Sequence, residues 1–247
     1  MNLPLDNPLF WLLAIVGVIL TGLSKSGLAG GAGVLAVPLL AFMVPVPVAA
    51  AITLPLLWVM DIRTIIAFKD SISWHDLVGL IPAAFIGVLI ASVSMSYMNH
   101  HHLLLVLGLV SILFALWQSL SQRFAQWAGA GILWGTIAGF TSTLLHAGGP
   151  PISIYFLGRK LSKDAWLASA AVFFGVLNMV KALPYTLNNQ WSNEQWLVSA
   201  ILIPVAWFGV ILGVWLSKHI NEVLFVNIAR CMLGLVGVLL LYKWYEQ

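Results

Sequence analysis

Charge is what this sequence has least of. Asp, Glu, Lys and Arg make up 8% of its 247 residues, where soluble domains carry roughly 25%. With a single cysteine, Cys231, the chain can form no internal disulfide and no cysteine-based zinc cluster. It has no G-x-x-x-x-G-K-[ST] run, so it does not itself draw on ATP, and no H-E-x-x-H. No basic residue precedes the first apolar run in "MNLPLDNPLF", which argues against a cleaved signal peptide. The loops are too short to hold a soluble domain. Chemistry is thereby confined to the inside of a membrane bundle or its mouths. No cofactor is expected. Nor does the net charge of +3 call for nucleic acid, because in a membrane protein the position of the basic residues is what informs.

Apolar residues are present in abundance: 61% of the chain, with a mean hydropathy of +1.00. Crossing about 30 Å of hydrocarbon takes roughly 20 residues. Runs of that order lie at Val48 to Phe68, Leu77 to Tyr97, Leu103 to Leu120, Trp127 to Leu145, Ala165 to Tyr185, Trp196 to Ser217 and Val223 to Tyr242. Val34 to Val44 and Ile152 to Gly158 are too short, and Phe10 to Leu23 is marginal. Trp74, Trp191 and Trp196 stand at helix ends, where interfacial anchors belong.

The chain then repeats itself. "LTGLSKSGLAGG" at 20–31 lies over "IAGFTSTLLHAGG" at 137–149 with one residue inserted. Gly22 meets Gly139, and Gly30 and Gly31 meet Gly148 and Gly149. Asp61 falls on Asn178, and Pro82, Gly87 and Asn99 fall on Pro204, Gly209 and Asn221. The sequence therefore reads as an all-α polytopic membrane protein, one transmembrane domain over 1–247, made of repeats 1–124 and 125–247. Each repeat holds a Gly-rich broken or re-entrant helix pair and three long transmembrane helices. The broken pair contributes an even number of crossings, so the second repeat is inverted, as in many secondary transporters.

Basic residues test that inversion. In the inverted arrangement one side collects Arg63, Lys69, Arg123, Arg159, Lys160, Lys163, Lys218 and Arg230, and the other only Lys181 and Lys243. A parallel arrangement divides them almost evenly, which the positive-inside rule disfavours. Expected are a multi-pass protein of the cytoplasmic (inner) membrane and two non-cytoplasmic termini. Lys181 is expected to snorkel toward the outer surface.

Unpaired backbone at membrane depth is tolerated only where it lines a cavity or is buried in protein. The two breaks, entering from opposite faces, are expected to meet near the midplane. Each precedes a short helix, from Gly33 and from Pro151, and helix starts present free N–H groups that attract anions. Lys25 adds a full positive charge, and Ser24, Ser26, Thr141, Ser142 and Thr143 add hydroxyls. Together with Gly30, Gly31, Gly33, His146, Gly148 and Gly149 they form the expected site for a small anion. Alternatives stay open at several positions. Lys25 can snorkel or pair with Asp61. His146 is a hydrogen-bonded filler, a substrate donor or a proton carrier. Asp61, with Asn178 as its counterpart, is a coupling site or a structural partner of Lys25 or Arg63. The histidines at 100–102 read as interfacial rather than metal-binding.

At the paired motifs "GLSKSGLAGGAGVLAVPLL" and "GFTSTLLHAGGPPISIYFL" the sequence resembles the sulfite exporter TauE/SafE family, and the resemblance covers nearly the whole chain. It implies transport of sulfur-containing anions such as sulfite, thiosulfate or an organosulfonate across the cytoplasmic membrane; the expected mode is a secondary transporter working by alternating access. Proton coupling through Asp61 or His146 is one form of it. The residues themselves ask only for an anion, so a small carboxylate transporter and a passive anion channel remain alternatives. A Ser26 and Lys25 dyad is a poor nucleophile arrangement, so no enzyme is expected. Besides cargo and lipid bilayer, one partner is open: small-residue faces such as "GVLIAS" and "GVILGV" suit either the repeat interface or a homodimer.

Overall fold

A computed structural model describes residues 3–27, 35–95, 97–116, 129–159, 161–219 and 222–246, which are helical and contain no strand. In chain order the helices are α1 (Pro8–Gly27), α2 (Ala36–Leu40), α3 (Val46–Phe68), α4 (Trp74–Met95), α5 (His100–Leu116), α6 (Ala130–Leu145), α7 (Gly149–Arg159), α8 (Lys163–Leu187), α9 (Asn193–Leu216) and α10 (Glu222–Glu246). Five of them, α1, α3 with the turn that follows it, α4, α8 and α9, are long and apolar enough to cross a membrane. The expected spans over Leu103 to Leu120 and Trp127 to Leu145 are described as α5 and α6, and residues 117–128 lie outside the described part.

Two boundaries differ from the sequence expectation. The marginal run Phe10 to Leu23 belongs to a 20-residue helix that continues through Lys25 to Gly27, so Ser24, Lys25 and Ser26 form the last turn of α1 rather than the break. Thr141, Ser142 and Thr143 likewise sit in the last turns of α6. Polar residues can end a membrane helix without leaving it, because the helix satisfies their backbone and only their side chains need partners.

Helix ends are finished by side chains. Ser192 and Gln195 form a capping box at the start of α9, and the Ser162 hydroxyl accepts from Ala165 N–H at the start of α8. The five-residue α2 is too short to stand alone and is held from both ends. Thr21 Oγ1 accepts the Ala36 N–H, and Lys243 Nζ donates to the Ala41 and Phe42 carbonyls. Within α3, Pro55 deprives the Ala51 carbonyl of its helical donor. Beside it, His146 Nε2 meets the Ala50 carbonyl at 2.8 Å and Ser199 Oγ donates to the Ile52 carbonyl at 2.8 Å.

Packing runs crosswise between the two halves of the chain. Helix α1 packs on α9, α4 on α6, α5 on α10, and α3 on both α8 and α9. Glycine permits the closest of these approaches. A Cβ on Gly22 would meet the backbone of Gly209 and Val210, one on Gly139 the backbone of Ala84, and one on Gly87 the backbone of Thr136 and Phe140. The small-residue faces "GVLIAS" and "GVILGV" are thus occupied within the chain, by Gly87 against α6 and by Gly209 and Gly213 against α1. Two apolar cores result. One joins α1, α2, α3 as far as Met60, α5, α9 and α10 with the ends of α4, α6 and α8; the other joins α4, α6, α7 and α8 as far as Leu177.

Gly22→Leu is expected to overpack the seam between α1 and α9 and to destabilise the fold by about 1–3 kcal/mol, read as a lower thermal midpoint in detergent. Gly79→Leu, where a Cβ meets nothing, leaves the midpoint unchanged.

Candidate functional site

The last turn of α1, the middle of α3, the end of α6 and the second half of α8 converge on one buried polar cluster. Lys25 Nζ lies 2.5 Å from Asp61 Oδ1 and 5.0 Å from the centre of the Phe174 ring. Asp61 is 1% exposed, and its other oxygen accepts from Asn178 Nδ2. Of the roles left open for Lys25 and Asp61, the structure thus shows their pairing. Arg63 instead lies over the Trp207 ring at 5.2 Å.

A second cation joins the cluster. Lys181 is fully buried, which corrects the expectation that it snorkels outward. Its Nζ donates to the Ser142 carbonyl and to Ser142 Oγ, both at 3.0 Å, and lies 2.9 Å from His146 Nδ1. Sequence reasoning missed it because a lysine in the second half of a membrane helix ordinarily reaches for the nearer surface. The one available signal was its place a single helical turn after Asn178.

His146 closes α6 in the left-handed conformation at φ 53°, which disfavours a residue with a Cβ by about 1–2 kcal/mol. Its own N–H and that of Ala147 satisfy the Ser142 and Thr141 carbonyls. The ring fixes the turn to its neighbours. Its Nε2 can only donate to the Ala50 carbonyl, while its Nδ1 lies 3.2 Å from the Ser142 carbonyl and 2.9 Å from Lys181 Nζ. Both ring nitrogens are therefore engaged, and neither is free for a ligand in this conformation. The glycine that follows serves space instead: a Cβ on Gly148 would strike Ser142, the Ala138 carbonyl and Phe174.

A cavity of about 60 Å³ opens against the cluster, lined on its polar side by Ser24, Lys25, Ser142, His146, Ser153 and Asn178 and closed by Leu57, Ile152, Trp166 and Phe174. One water takes about 10–15 Å³ on this measure, so the space suits a few waters or one small oxyanion. Gly149 also lines it. Other expected site residues are turned elsewhere. Ser26 Oγ donates to the Gly22 and Val210 carbonyls in the seam between α1 and α9, and Thr141 and Thr143 bond back into α6. Gly30, Gly31 and Gly33 lie outside the described residues.

The helix starts offer fewer donors than expected. Ala36 N–H at the head of α2 is taken by Thr21. At the head of α7, Pro150 and Pro151 have no N–H, and that of Ile152 points to the Gly148 carbonyl at 3.4 Å. The positive charge of the site comes from ammonium groups. The histidines at 100–102 are turned to the far end of α3 and α10, His100 Nδ1 taking the Val46 N–H and His101 packing on Trp244.

An all-helical bundle with several helices able to cross a membrane and a charged cluster closed inside it is a multi-pass membrane protein. The chain belongs to the Sulfite exporter TauE/SafE family, whose model matches residues 13–240. Proteins of this family are transporters. No curated protein and no solved structure matches the chain.

Removing Lys25 alone strands the Asp61 carboxylate. Lys25→Met is expected to destabilise the fold by about 3–5 kcal/mol, and Lys25→Met with Asp61→Leu to recover most of that loss. Thermal unfolding of the single and double variants in detergent measures both.

Proposed function

We propose that this protein is a secondary transporter that carries small sulfur-containing anions across the cytoplasmic membrane by alternating access, with the cavity beside Lys25 as its binding site. The observation that carries this reading is the cluster itself, two buried lysines against one buried carboxylate, bordering a space of oxyanion size. Family membership supplies sulfur; the side chains supply the positive charge. Lys25 and the Ser24 and Ser142 hydroxyls face the cargo, and His146, held by Ala50 and Lys181, shapes the break around it. Asp61 is the group whose protonation would couple cargo to a proton gradient, because freeing it from Lys25 changes the charge of the site.

The same proposal takes 1–124 and 125–247 as inverted repeats with both termini outside the cytoplasm. Supporting it, pairings come in exchanged sets: α1 with α9 and α6 with α4, and α3 with α9 and α8 with α4. Asp61 and Asn178, counterparts in the two repeats, touch each other, and two equivalent residues can meet only on the axis that exchanges them. At the same 117-residue separation, Lys25 corresponds to Ser142 and Lys181 to Thr64. Each repeat thus provides one ammonium, the first from its first helix and the second from its third helix. Because the halves interlock, the bodies that rock are crosswise units, α1, α2 and α9 against α4, α6 and α7, rather than the two repeats.

Proteoliposomes loaded with unlabelled sulfite are expected to take up labelled sulfite saturably by counterflow. Lys25→Met with Asp61→Leu, which keeps the fold, lowers that flux by at least about tenfold, whereas Lys69→Ala at an exposed position leaves it unchanged. Equal flux in all three proteins refutes the site; large conductance without counterflow would instead mark a channel. Asp61→Asn is expected to abolish the acceleration of uptake by an imposed pH gradient, and retained acceleration refutes Asp61 as the coupling group.

A further inference from the structure

The inventory of the cavity, resting on the transport reading above, also specifies the protonation state of the cargo. Among the described residues, the ionisable side chains at or directly behind the cavity are Lys25 from α1, Asp61 from α3, His146 after α6 and Lys181 from α8. Tyr185 stacks on His146 and donates its hydroxyl to the Thr143 carbonyl. The neighbouring segment 28–34 contains no ionisable residue. Lys181 Nζ lies within hydrogen-bond distance of the Ser142 carbonyl, Ser142 Oγ and His146 Nδ1, which suits the three donors of an ammonium. His146 is held between the Ala50 and Ser142 carbonyls, and Asp61 lies between the Lys25 ammonium and the Asn178 amide. With both lysines as ammonium groups, Asp61 as a carboxylate and His146 neutral, the cluster carries a net charge of one. A buried charge needs a partner: a monoanion cancels it, and a dianion overshoots.

A second observation is independent of charge. Asn178 Nδ2 donates one hydrogen to Asp61, and the Oδ1 of this cavity-lining amide is a buried acceptor without a partner. Ser153 Oγ spends its hydrogen on the Gly149 carbonyl and also presents lone pairs. A fully deprotonated oxyanion, which can only accept, leaves the Asn178 oxygen unpaired, and a buried unpaired acceptor is unfavourable. An anion that keeps one O–H satisfies it. Ser142 completes the complement: its Oγ accepts from Lys181, so its own hydrogen is free to point at the cargo.

We propose that the cavity binds a monovalent oxyanion that retains a proton, hydrogen sulfite in its O–H form rather than the sulfite dianion. Its O–H rests on Asn178 Oδ1 and its oxygens on Lys25 and Ser142.

The test is sulfite counterflow in proteoliposomes of the full chain, with the same pH on both sides, from pH about 6 to 8.5. The apparent affinity for total sulfite is expected to weaken about tenfold per pH unit above the second dissociation of sulfurous acid, because only the protonated fraction competes for the site. Methanesulfonate, a monoanion with no O–H and no titration in this range, is expected to compete at least about tenfold more weakly than hydrogen sulfite at pH about 6. Its strength should not change with pH. Sulfate does not compete. An affinity for sulfite that is flat or rises with pH overturns the proposal, as does methanesulfonate that competes equally or fades with pH in parallel, which would place the titration on the protein. Sulfate competing as well as hydrogen sulfite overturns it too. Those three results leave the transport reading standing; sulfite exchange absent at every pH removes both.

Discussion

A charge inside a bilayer must be answered by another, and the placement of the long helices follows from that constraint. Asp61 is buried in the middle of α3, and it is tolerable there because α1 ends beside it with Lys25 and α8 crosses it with Asn178. Those two contacts fix the depth and rotation of three helices at once. Lys181, one turn beyond Asn178, extends the cluster to α6 through Ser142 and His146, and His146 passes it back to α3 at Ala50. The polar chain closes on itself through α3, α8 and α6, with α1 attached at Asp61. Apolar packing gives the bundle its mass, but lipid tails are as apolar as leucine, so it is this ring that specifies which faces meet.

Most of the architecture was legible in the sequence, because hydrophobic length is read directly against bilayer thickness. The long helices fall close to the apolar runs, and Lys25, Asp61 and Asn178 stood out as polar residues where none is tolerated without purpose. Helix ends were less legible: "SGLAGG" looks like one continuous break, yet its first two residues, Ser26 and Gly27, still belong to α1. Local pattern does not say which residue in such a run abandons the helix, since glycine and serine serve as close-packing residues as well as breakers. Gly22, Gly139 and Gly148 turned out to make room for neighbours, and the left-handed turn fell on His146. Lys181 was misread for a related reason. A lysine several residues from a helix end has a surface within reach, and only the positions of Ser142 and His146 on another helix show that it turns inward.

Proline has a quiet part in the same cluster. Pro55 opens the hydrogen-bond ladder of α3 nearly two turns before the buried charge, and the elements around it supply donors to the flanking carbonyls. Side chains from α9 and from the turn after α6 therefore grip α3 by its backbone, which no hydrophobic contact does. Such a grip fixes the angle at which α3 passes between the two apolar cores.

The crosswise pairing of the halves sets the order in which the molecule can be made. Ser26 closes onto the Val210 carbonyl 184 residues later, and at ribosomal speeds of about 5–20 residues per second the first helix waits roughly 10 to 40 s for its principal partner. Through that interval α1 is in the membrane with Lys25 at its tip, first alone and then with Asp61 as soon as α3 follows. The ion pair at the heart of the site is thus also available early in biosynthesis, a clasp between α1 and α3 that shelters an exposed ammonium until α9 arrives to bury the rest.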